Sequence, residues 1–354
     1  MPSLFDSLKL GDITLPNRII MAPLTRARAG AQRMPNELMA QYYAERATAG
    51  LIISEATSVT PMGVGYADTP GLWSAEQVEG WKLITKAVHK AGGRIFAQLW
   101  HVGRVSAPMF LNGELPVSAS AIAPKGHVSL VRPQQEYVTP RPLETSEIPG
   151  VVEAYRKAAM NAQMAGFDGV EIHGANGYLL DQFLQDSTNH RTDNYGGSIQ
   201  NRARLMLEVT DGVLSVWEAG LVGMHLAPRM DAHSMGDSDR LGTFSYVARE
   251  LGERGLAFIC AREHKAEDWI GPKLKKIFGG TYIANEGFTK DSAQAVLDTG
   301  EADAVAWGKL FIANPDLVER FRTNAPLNEP NPSTFYAEGA TGYTDYPALQ
   351  SKAA

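Results

Sequence analysis

The segment Gly-Val-Glu-Ile-His-Gly-Ala-Asn-Gly-Tyr at residues 169–178 begins as a short apolar run and ends in polar side chains. Its first part, residues 169–173, is typical of a buried strand. His173, Asn176 and Tyr178 then lie within six residues of one another. Two of these side chains can donate hydrogen bonds, and the phenol of the third can donate a proton. A site that polarises a carbonyl group and then protonates the adjacent carbon needs those three parts.

Short apolar or β-branched runs of this kind recur along the chain, separated by longer stretches with helical periodicity. Such runs, alternating with helices, indicate parallel βα units, and eight units of this type close into a barrel. We therefore predict an α/β fold, a (β/α)8 TIM barrel. The strands are expected at residues 18–22, 50–55, 94–100, 169–173, 222–226, 257–261, 281–285 and 304–308.

Three of the intervening helices can be located, at residues 74–89, 146–165 and 289–297, the last beginning with Thr289 as a good N-cap. The proline-rich stretch 106–142 has little helical periodicity, so we expect an excursion after the third strand, a lid or hairpin over the barrel mouth. We expect a single domain over residues 1–354, with the barrel at about 15–325 and a tail at 326–354 that packs back on it.

The amino-acid composition and net charge argue against several classes of protein. A formal charge of −6 and a pI near 5.8 argue against a nucleic-acid surface and a polybasic membrane patch. The one cysteine, Cys260, rules out an internal disulfide and a cysteine-rich metal site, and its apolar neighbours indicate a buried thiol. The N-terminus shows no signal-peptide pattern, and no apolar run approaches the ~18 residues of a membrane span. We expect a soluble cytoplasmic protein without a metal site.

Polar and small residues cluster where the predicted strands end. In a barrel of this type the C-terminal ends of the strands form the active-site face. Residues distant in sequence are therefore expected to converge on one pocket. The residues at these positions are Thr25, Ala56, Gln98, Trp100, His173, Asn176, Asn285 and Lys309.

Taken together, these motifs resemble the old yellow enzyme family of FMN-dependent ene-reductases, with the closest likeness to bacterial xenobiotic, nitrate-ester and N-ethylmaleimide reductases. The resemblance extends from about residue 3 to residue 347. Besides the opening segment, it rests on Met-Ala-Pro-Leu-Thr-Arg-Ala-Arg at 21–28, Ile-Ser-Glu-Ala at 53–56, Phe-Ala-Gln-Leu-Trp-His-Val-Gly-Arg at 96–104, Asn-His-Arg-Thr-Asp-Asn-Tyr-Gly-Gly-Ser-Ile-Gln-Asn-Arg at 189–202, Phe-Ile-Ala-Asn-Pro-Asp-Leu at 311–317 and Gly-Tyr-Thr-Asp-Tyr-Pro at 342–347.

The resemblance implies an activity and roles for the site residues. His173 and Asn176 would hold the carbonyl or nitro oxygen of an activated alkene, and Tyr178 would protonate its α-carbon. FMN would be bound tightly but not covalently, and NADPH or NADH would reduce it. The substrates would be α,β-unsaturated carbonyls, maleimides and nitroalkenes, with nitroaromatics and nitrate esters as further acceptors. The family includes monomers and homodimers, so the oligomeric state stays open.

The resemblance also implies which residues contact the flavin and shape the substrate side. The flavin-binding positions would be Pro23, Leu24, Thr25, Ala56, Gln98, His225, Asn285, Gly308, Lys309 and Phe335. The last four include the phosphate cradle, where Lys309 stands in place of the arginine that relatives commonly have. The aromatic residues around the substrate would be Tyr66, Trp100 and Tyr336.

One position departs from the family pattern. Many relatives carry an arginine near flavin N1 and O2, in a Gly-x-Arg-x-Ser-Pro context, which stabilises the anionic reduced ring. The corresponding segment here, Gly-Met-His-Leu-Ala-Pro at 223–228, places His225 there. A neutral imidazole donates one hydrogen bond, whereas a protonated one also supplies charge. Our hypothesis is that His225 performs this role, supported by Arg229 or Lys309.

Three other functions would require different sequence features. A barrel lyase or isomerase acting on a phosphorylated substrate would need a carboxylate or lysine base in the barrel mouth, and Glu171 alone points that way. A larger dienoyl-CoA reductase type would need the cysteines of an Fe–S cluster and further chain. A non-enzymatic flavin-binding or partner-binding protein would not need the intact set of His173, Asn176 and Tyr178.

Overall fold

The computed structural model describes residues 1–229 and 232–349. In these residues most strands are short and buried. In chain order they are β1 (Leu8–Leu10), β2 (Ile13–Leu15), β3 (Ile19–Met21), β4 (Leu51–Ile53), β5 (Thr57–Ser58), β6 (Ile95–Trp100), β7 (Val117–Ser118), β8 (Arg141–Pro142), β9 (Gly169–His173), β10 (Val222–Leu226), β11 (Phe258–Arg262), β12 (Thr281–Asn285) and β13 (Ala304–Trp307).

The helices surround the central sheet and vary from one turn to more than four turns. In chain order they are α1 (Glu37–Ala44), α2 (Ala75–Lys90), α3 (Ile148–Met164), α4 (Leu179–Leu184), α5 (Ile199–Leu214), α6 (Arg240–Glu253), α7 (Gly271–Phe278), α8 (Lys290–Asp298), α9 (Lys309–Ala313) and α10 (Leu317–Thr323). No helix of this described part is long and apolar enough to cross a membrane.

Eight of the strands form a closed parallel barrel. Their order around it is β4, β3, β13, β12, β11, β10, β9 and β6, and β6 pairs with β4 to close the ring. This confirms the predicted (β/α)8 TIM barrel. The observed strands differ from the predicted ones by no more than two residues at either end, because continuous apolar runs define strands buried on both faces.

The predicted helices are present, and their first turns explain where they start. Ser74 Oγ accepts a hydrogen bond from the Gln77 N–H at 3.3 Å, while the Gln77 side chain accepts from the Ser74 N–H at 3.2 Å. Thr289 Oγ1 accepts from the Ser292 N–H at 3.1 Å, so Thr289 is the N-cap of α8. The helix predicted at 146–165 instead begins at Ile148, after a single 3₁₀ turn.

The interior of the barrel is apolar and closely packed. The side chains of Phe96 and Phe258 meet there, with ring centroids 6.1 Å apart. Glycines on the neighbouring strands make room for them, because a Cβ on Gly169 would lie 2.3 Å from Phe96 and one on Gly223 would lie 2.1 Å from Phe258. Cys260 is buried in the same cluster, in agreement with the predicted inert thiol.

An N-terminal hairpin, which the sequence analysis did not identify, covers the start of the barrel strands. Strands β1 and β2 pair antiparallel, and their leucines join the interior apolar cluster. The Asp12 N–H donates a hydrogen bond to the Gly220 carbonyl, just before β10 begins. This hairpin therefore closes the end of the barrel opposite to the C-terminal ends of the strands.

The segment 106–142 leaves the barrel after β6, as predicted. Its base is the short parallel pair of β7 and β8. Within it, the Val128 N–H donates to the Gln135 carbonyl at 2.8 Å, and His127 bridges to Glu136 in antiparallel fashion. The segment thus contains a small local hairpin beside the barrel mouth.

The C-terminal tail packs back on the barrel through two buried arginines. Arg26 donates to the carbonyls of Phe335 and Gly342 at 3.1 and 2.7 Å, and Arg28 donates to that of Phe335 at 2.7 Å. The ring of Tyr343 stacks on that of Tyr42, with centroids 4.0 Å apart. Residues 350–354 of the predicted tail lie outside the described residues.

Candidate active site

A cavity of about 1050 Å³ opens at the C-terminal ends of the barrel strands. The structure brings nearly all of the predicted site residues to its wall, from both ends of the chain. Those that line it are Pro23, Leu24, Thr25, Ala56, Gln98, Trp100, His173, Asn176, Tyr178, His225, Asn285, Gly308, Lys309, Phe335 and Tyr336. Fifteen positions spread over more than 300 residues therefore share one pocket.

Tyr66 is the exception among the predicted residues, because it lines a smaller adjoining cavity of about 370 Å³. Tyr178 lines both cavities, and its hydroxyl lies 2.9 Å from that of Tyr66. His127 and Ser129 of the excursion also line the smaller cavity. Tyr66 is therefore in contact with the main site through Tyr178 rather than as a wall of it.

At one end of the main cavity, three rings pack against each other. The Tyr178 ring meets the His173 ring edge to face, with centroids 5.0 Å apart, and meets Trp100 at the same distance. The Tyr66 ring also stacks on Trp100, with centroids 5.4 Å apart. These contacts fix the direction of the Tyr178 hydroxyl and hold it beside the histidine.

The turn between β9 and α4 places the polar side chains. Asn176 adopts φ 59° and Gly177 adopts φ 76°, both in the left-handed region. Asparagine is one of the few residues with a side chain that tolerates this region, and glycine is free to enter it. A Cβ on Gly177 would lie 2.8 Å from Met235 Cγ, and the Gly177 N–H donates to Asp181 Oδ2 at 2.9 Å. The turn thus presents Asn176 and Tyr178 to the cavity.

Beneath this group, Gln98, Glu171 and His225 form a buried network. Gln98 Nε2 donates to Glu171 Oε2 at 2.7 Å and lies 3.1 Å from His225 Nδ1. His225 Nδ1 is therefore the acceptor, and the proton of the neutral ring is on Nε2. That Nε2 atom is buried and has no hydrogen-bond partner among the described residues.

Burial determines the charge of this network. Burial, and after it the charge of Arg262, lowers the pKa of His225 to about 3. Burial also raises the pKa of Glu171 to about 8, although the hydrogen bond from Gln98 acts in the opposite direction. The 4.0 Å approach of His225 Nδ1 to Glu171 Oε2 is then a contact between two neutral groups at pH 7. His225 offers one hydrogen-bond donor and no positive charge.

The protonation states of the two groups above the network are also set by burial. Burial, together with the nearby charge of Arg262, holds the pKa of His173 well below its usual value, so its imidazole is neutral. Burial raises the pKa of Tyr178 above its usual range, although the hydrogen bond from Tyr66 opposes this. Tyr178 therefore keeps its proton at neutral pH.

The opposite end of the cavity is formed by the loops after β12 and β13. Asn285 Nδ2 donates to the Ala306 carbonyl at 2.7 Å, which ties the two strand ends together. Gly308 lies against Leu24, where a Cβ would approach Leu24 Cδ1 to 2.8 Å. Lys309 begins α9 directly after this glycine. A barrel of this type commonly binds phosphate at this place.

Several charged residues of the cavity wall were not predicted from the sequence, and Arg262 and Glu286 are two of them. Arg262 is the last residue of β11, one position beyond the predicted end of that strand. A charged residue at the end of an apolar strand run was the available signal. Arg229, one of the two suggested helpers of His225, does not line the cavity and instead forms ion pairs with Glu263, at 3.9 Å, and with Asp268.

Comparisons with known proteins agree with this geometry. The NADH:flavin oxidoreductase / NADH oxidase family matches residues 3–328. The 12-oxophytodienoate reductase 1 of Oryza sativa subsp. japonica is 44% identical over 358 residues, which cover 97% of this chain and 92% of that protein. The 12-oxophytodienoate reductase 2 of Arabidopsis thaliana is 41% identical over 360 residues, covering 98% of this chain and 95% of that protein.

Two solved structures are similar over nearly their whole length. Morphinone reductase in complex with tetrahydroNAD superposes with a TM-score of 0.96 and is 48% identical, covering 100% of this chain and 99% of its own. The old yellow enzyme homologue from Zymomonas mobilis also superposes with a TM-score of 0.96 and is 45% identical, covering 98% of this chain and 100% of its own.

Proposed function

We propose, because this chain belongs to the NADH:flavin oxidoreductase / NADH oxidase family and within it to the old yellow enzymes, that it is an FMN-dependent ene-reductase. Its substrates would be activated alkenes, namely α,β-unsaturated carbonyls, maleimides and nitroalkenes, with nitroaromatics and nitrate esters as further acceptors. NADPH or NADH would be the reductant. The single observation that carries this proposal is the grouping of His173, Asn176 and Tyr178 on one wall of the 1050 Å³ cavity.

The cavity has the size and the polar groups that FMN requires. His225 Nε2, His173 Nδ1 and Trp100 Nε1 are buried donors or acceptors without a partner within residues 1–229 and 232–349. A buried polar atom left unpaired is costly, so these atoms indicate a ligand that supplies hydrogen bonds. Thr25, Gln98 and His225 would hold the polar edge of the isoalloxazine ring. Bound there, FMN would supply a two-electron redox centre that accepts hydride from a nicotinamide and donates it to an alkene.

The phosphate of FMN would lie at the other end of the cavity. Gly308 and Lys309 offer backbone N–H groups and a positive charge, and Asn285 braces the neighbouring strand end. Lysine binds phosphate as a point charge and lacks the planar fork of arginine. Lys309 would therefore attract the phosphate without fixing its rotation, and the surrounding backbone would orient it.

His173 and Asn176 would bind the carbonyl or nitro oxygen of the substrate. Reduction at the β-carbon moves negative charge onto this oxygen, so hydrogen bonds to it strengthen as the reaction proceeds. A neutral imidazole N–H and an amide N–H₂ can both donate such bonds. Because both side chains are fixed before the substrate arrives, little reorganisation accompanies the charge transfer.

Tyr178 would then complete the reduction by donating its hydroxyl proton to the α-carbon. The β-carbon gains hydride and the α-carbon gains this proton, so the C=C bond becomes a C–C bond with atoms and charge balanced. The Tyr66 hydroxyl, 2.9 Å away, can return a proton to Tyr178 from the smaller cavity. Removing a positioned acid of this kind costs about 10²–10⁴-fold in rate.

The test is a visible spectrum of the purified protein reconstituted with FMN, followed by anaerobic NADPH and then 2-cyclohexenone. We expect a yellow protein that bleaches with NADPH and recovers its colour with the enone, since both half-reactions share one flavin. A protein that takes up no FMN would contradict the proposal. A protein that bleaches but does not recover with enones, maleimides or nitro compounds would retain the flavin and lose the proposed substrate class.

A further inference from the structure

Arg262 occupies a position in the cavity that the proposed mechanism leaves without a role. Strand β11 pairs with β10 so that Cys260 lies opposite His225. Arg262 is two residues further along β11, at its C-terminal end, and its side chain lines the main cavity. The residue thus stands on the strand next to His225, at the face where the chemistry is proposed to occur.

The guanidinium of Arg262 has two partners in the cavity wall. Its Nε donates to Glu286 Oε2 at 2.5 Å, and its Nη1 donates to Asn176 Oδ1 at 3.4 Å. Because the amide oxygen of Asn176 accepts from Arg262, the amide nitrogen is the part left to donate to a ligand. Arg262 therefore lies beside the proposed oxygen-binding pair.

The other basic residues that line the cavity are engaged elsewhere. Arg320 donates to Asp316 and to the carbonyls of Pro326 and Pro347. Lys290 donates to Asn324 Oδ1. Lys309 belongs to the proposed phosphate end. Among the described basic residues that line the cavity, Arg262 is then the one bonded to the catalytic end, through Asn176.

We propose that Arg262 supplies the fixed positive charge that stabilises the bound flavin when it gains negative charge on reduction. This inference rests on the proposed function. The role predicted for position 225 would then be shared: His225 would contribute a hydrogen bond from Nε2, and the charge would come from the adjacent strand. An arginine keeps its charge throughout the physiological pH range, unlike a buried imidazole.

Glu286 would moderate this charge. Its carboxylate pairs with Arg262, and its backbone has φ 99°, a conformation unfavourable for a residue with a side chain. A negative charge at this position lowers the affinity of the site for an anionic ligand. Arg262 and Glu286 therefore act on the flavin with opposite signs, although they form one ion pair.

That opposition gives a test independent of turnover. The midpoint potential of bound FMN would be measured for the wild-type holoprotein and for Arg262→Met, Arg262→Lys and Glu286→Gln. For Arg262→Met we expect reduced FMN to lose about tenfold in affinity relative to oxidised FMN, which lowers the two-electron potential by ~30 mV. For Glu286→Gln we expect a rise in the potential. Arg262→Lys keeps the charge, so its potential should stay close to that of the wild type.

The matched control is Arg229→Met, which removes an arginine that does not line the cavity and should leave the potential unchanged. If Arg262 served only as a structural partner of Glu286, Arg262→Met and Glu286→Gln would change the thermal stability by similar amounts. The midpoint potential of bound FMN would then be unchanged in both variants. That result would overturn the inference. A wild-type protein that binds no FMN would instead overturn the proposed function, and this inference with it.

Discussion

The barrel interior and the cavity above it are built on the same eight strands, but the interior is closely packed, whereas the cavity, in the described part of the chain, contains unpaired polar atoms. Inside the barrel, the rings of Phe96 and Phe258 pack so closely against Gly169 and Gly223 that neither glycine could carry a Cβ. In the cavity, polar atoms of His173, His225 and other buried residues lack hydrogen-bond partners within the described residues. The comparison shows that the interior supplies folding free energy, whereas the cavity retains groups that a stable core would exclude.

Strand β9 passes from the packed barrel interior to the cavity within five residues. Its first residue, Gly169, lies under the Phe96 ring, and its last, His173, lines the cavity. Between them, Glu171 carries a buried carboxyl group bonded to Gln98. Substitutions at the two ends should therefore have separable effects, on stability at one end and on rate at the other.

The largest effect is expected for Tyr178→Phe. Removal of the hydroxyl eliminates the proposed acid, so the rate of alkene reduction should fall by about 10²–10⁴-fold. Stability should change by only about 1 kcal/mol, because the hydroxyl has one hydrogen bond, to Tyr66. Stopped-flow measurement of flavin reoxidation by 2-cyclohexenone, with thermal unfolding beside it, tests both statements. Reoxidation at the wild-type rate would assign the proton to another donor.

The opposite pattern is expected for Phe258→Ala in the barrel interior. Loss of a fully buried aromatic ring leaves a void and should lower the free energy of unfolding by about 3–5 kcal/mol. The cavity residues keep their positions, so the fraction of protein that remains folded should reduce enones at nearly the wild-type rate. Urea denaturation and active-site titration measure the two quantities. A stable but inactive variant would show that the two regions are coupled.

A smaller, pH-dependent effect is expected for Glu171→Gln. The pKa of Glu171 is raised from 4.5 to about 8, so the folded chain binds more protons than the unfolded chain. Its contribution to stability is complete at low pH and is lost as the pH rises through about 8. The glutamine mimics the protonated form, so the gain of the variant over wild type should widen from about 1 kcal/mol at pH 5 to about 3–5 kcal/mol at pH 8 and above.

Thermal unfolding of the Glu171→Gln variant across that pH range provides the measurement. Glu79→Gln is the control, because Glu79 is exposed and pairs with Lys82 at the surface. A difference between Glu171→Gln and wild type that does not change with pH would mean that Glu171 is ionised in the folded protein.

The smallest effect is expected for Tyr66→Phe. Tyr66 lines the smaller cavity and contacts Tyr178, which lines both cavities. The hydroxyl is proposed to return a proton to Tyr178 and is not itself the acid. Its loss should slow turnover by about fivefold, the equivalent of one neutral hydrogen bond of about 1 kcal/mol. Turnover in H₂O and D₂O should reveal a larger solvent isotope effect in the variant. An unchanged rate and isotope effect would leave Tyr66 as a packing residue.

The barrel was predictable because each of its strands is a continuous apolar run, and strands such as β9 and β10 begin and end where the sequence indicates. The positions that line the cavity followed from the ends of those runs and from the family resemblance. The hairpin of β1 and β2 was missed because its three-residue strands give no periodic signal. The position of this hairpin depends on contacts with distant residues, such as the hydrogen bond from Asp12 to Gly220.

Two features of the candidate site could not be read from the sequence. The contact between the hydroxyls of Tyr66 and Tyr178 joins residues 112 positions apart and depends on how the loop after β5 and the turn after β9 meet. The position of Arg262 beside His225 depends on the register between two strands, which residue patterns leave open. The charge at the catalytic end is therefore a property of the assembled barrel.

The anchoring of the C-terminal tail has a consequence for how the protein can diversify. Arg26 and Arg28 hold the tail by its backbone carbonyls, which every amino acid provides. Of the two tail side chains that line the cavity, Phe335 also contacts the Arg26 guanidinium, 6.0 Å from its ring centroid, whereas Tyr336 is exposed. Selection can therefore change Tyr336, and with it the shape of this part of the cavity wall, while the tail keeps its course. This part of the cavity wall can therefore vary while the attachment of the tail to the barrel is preserved.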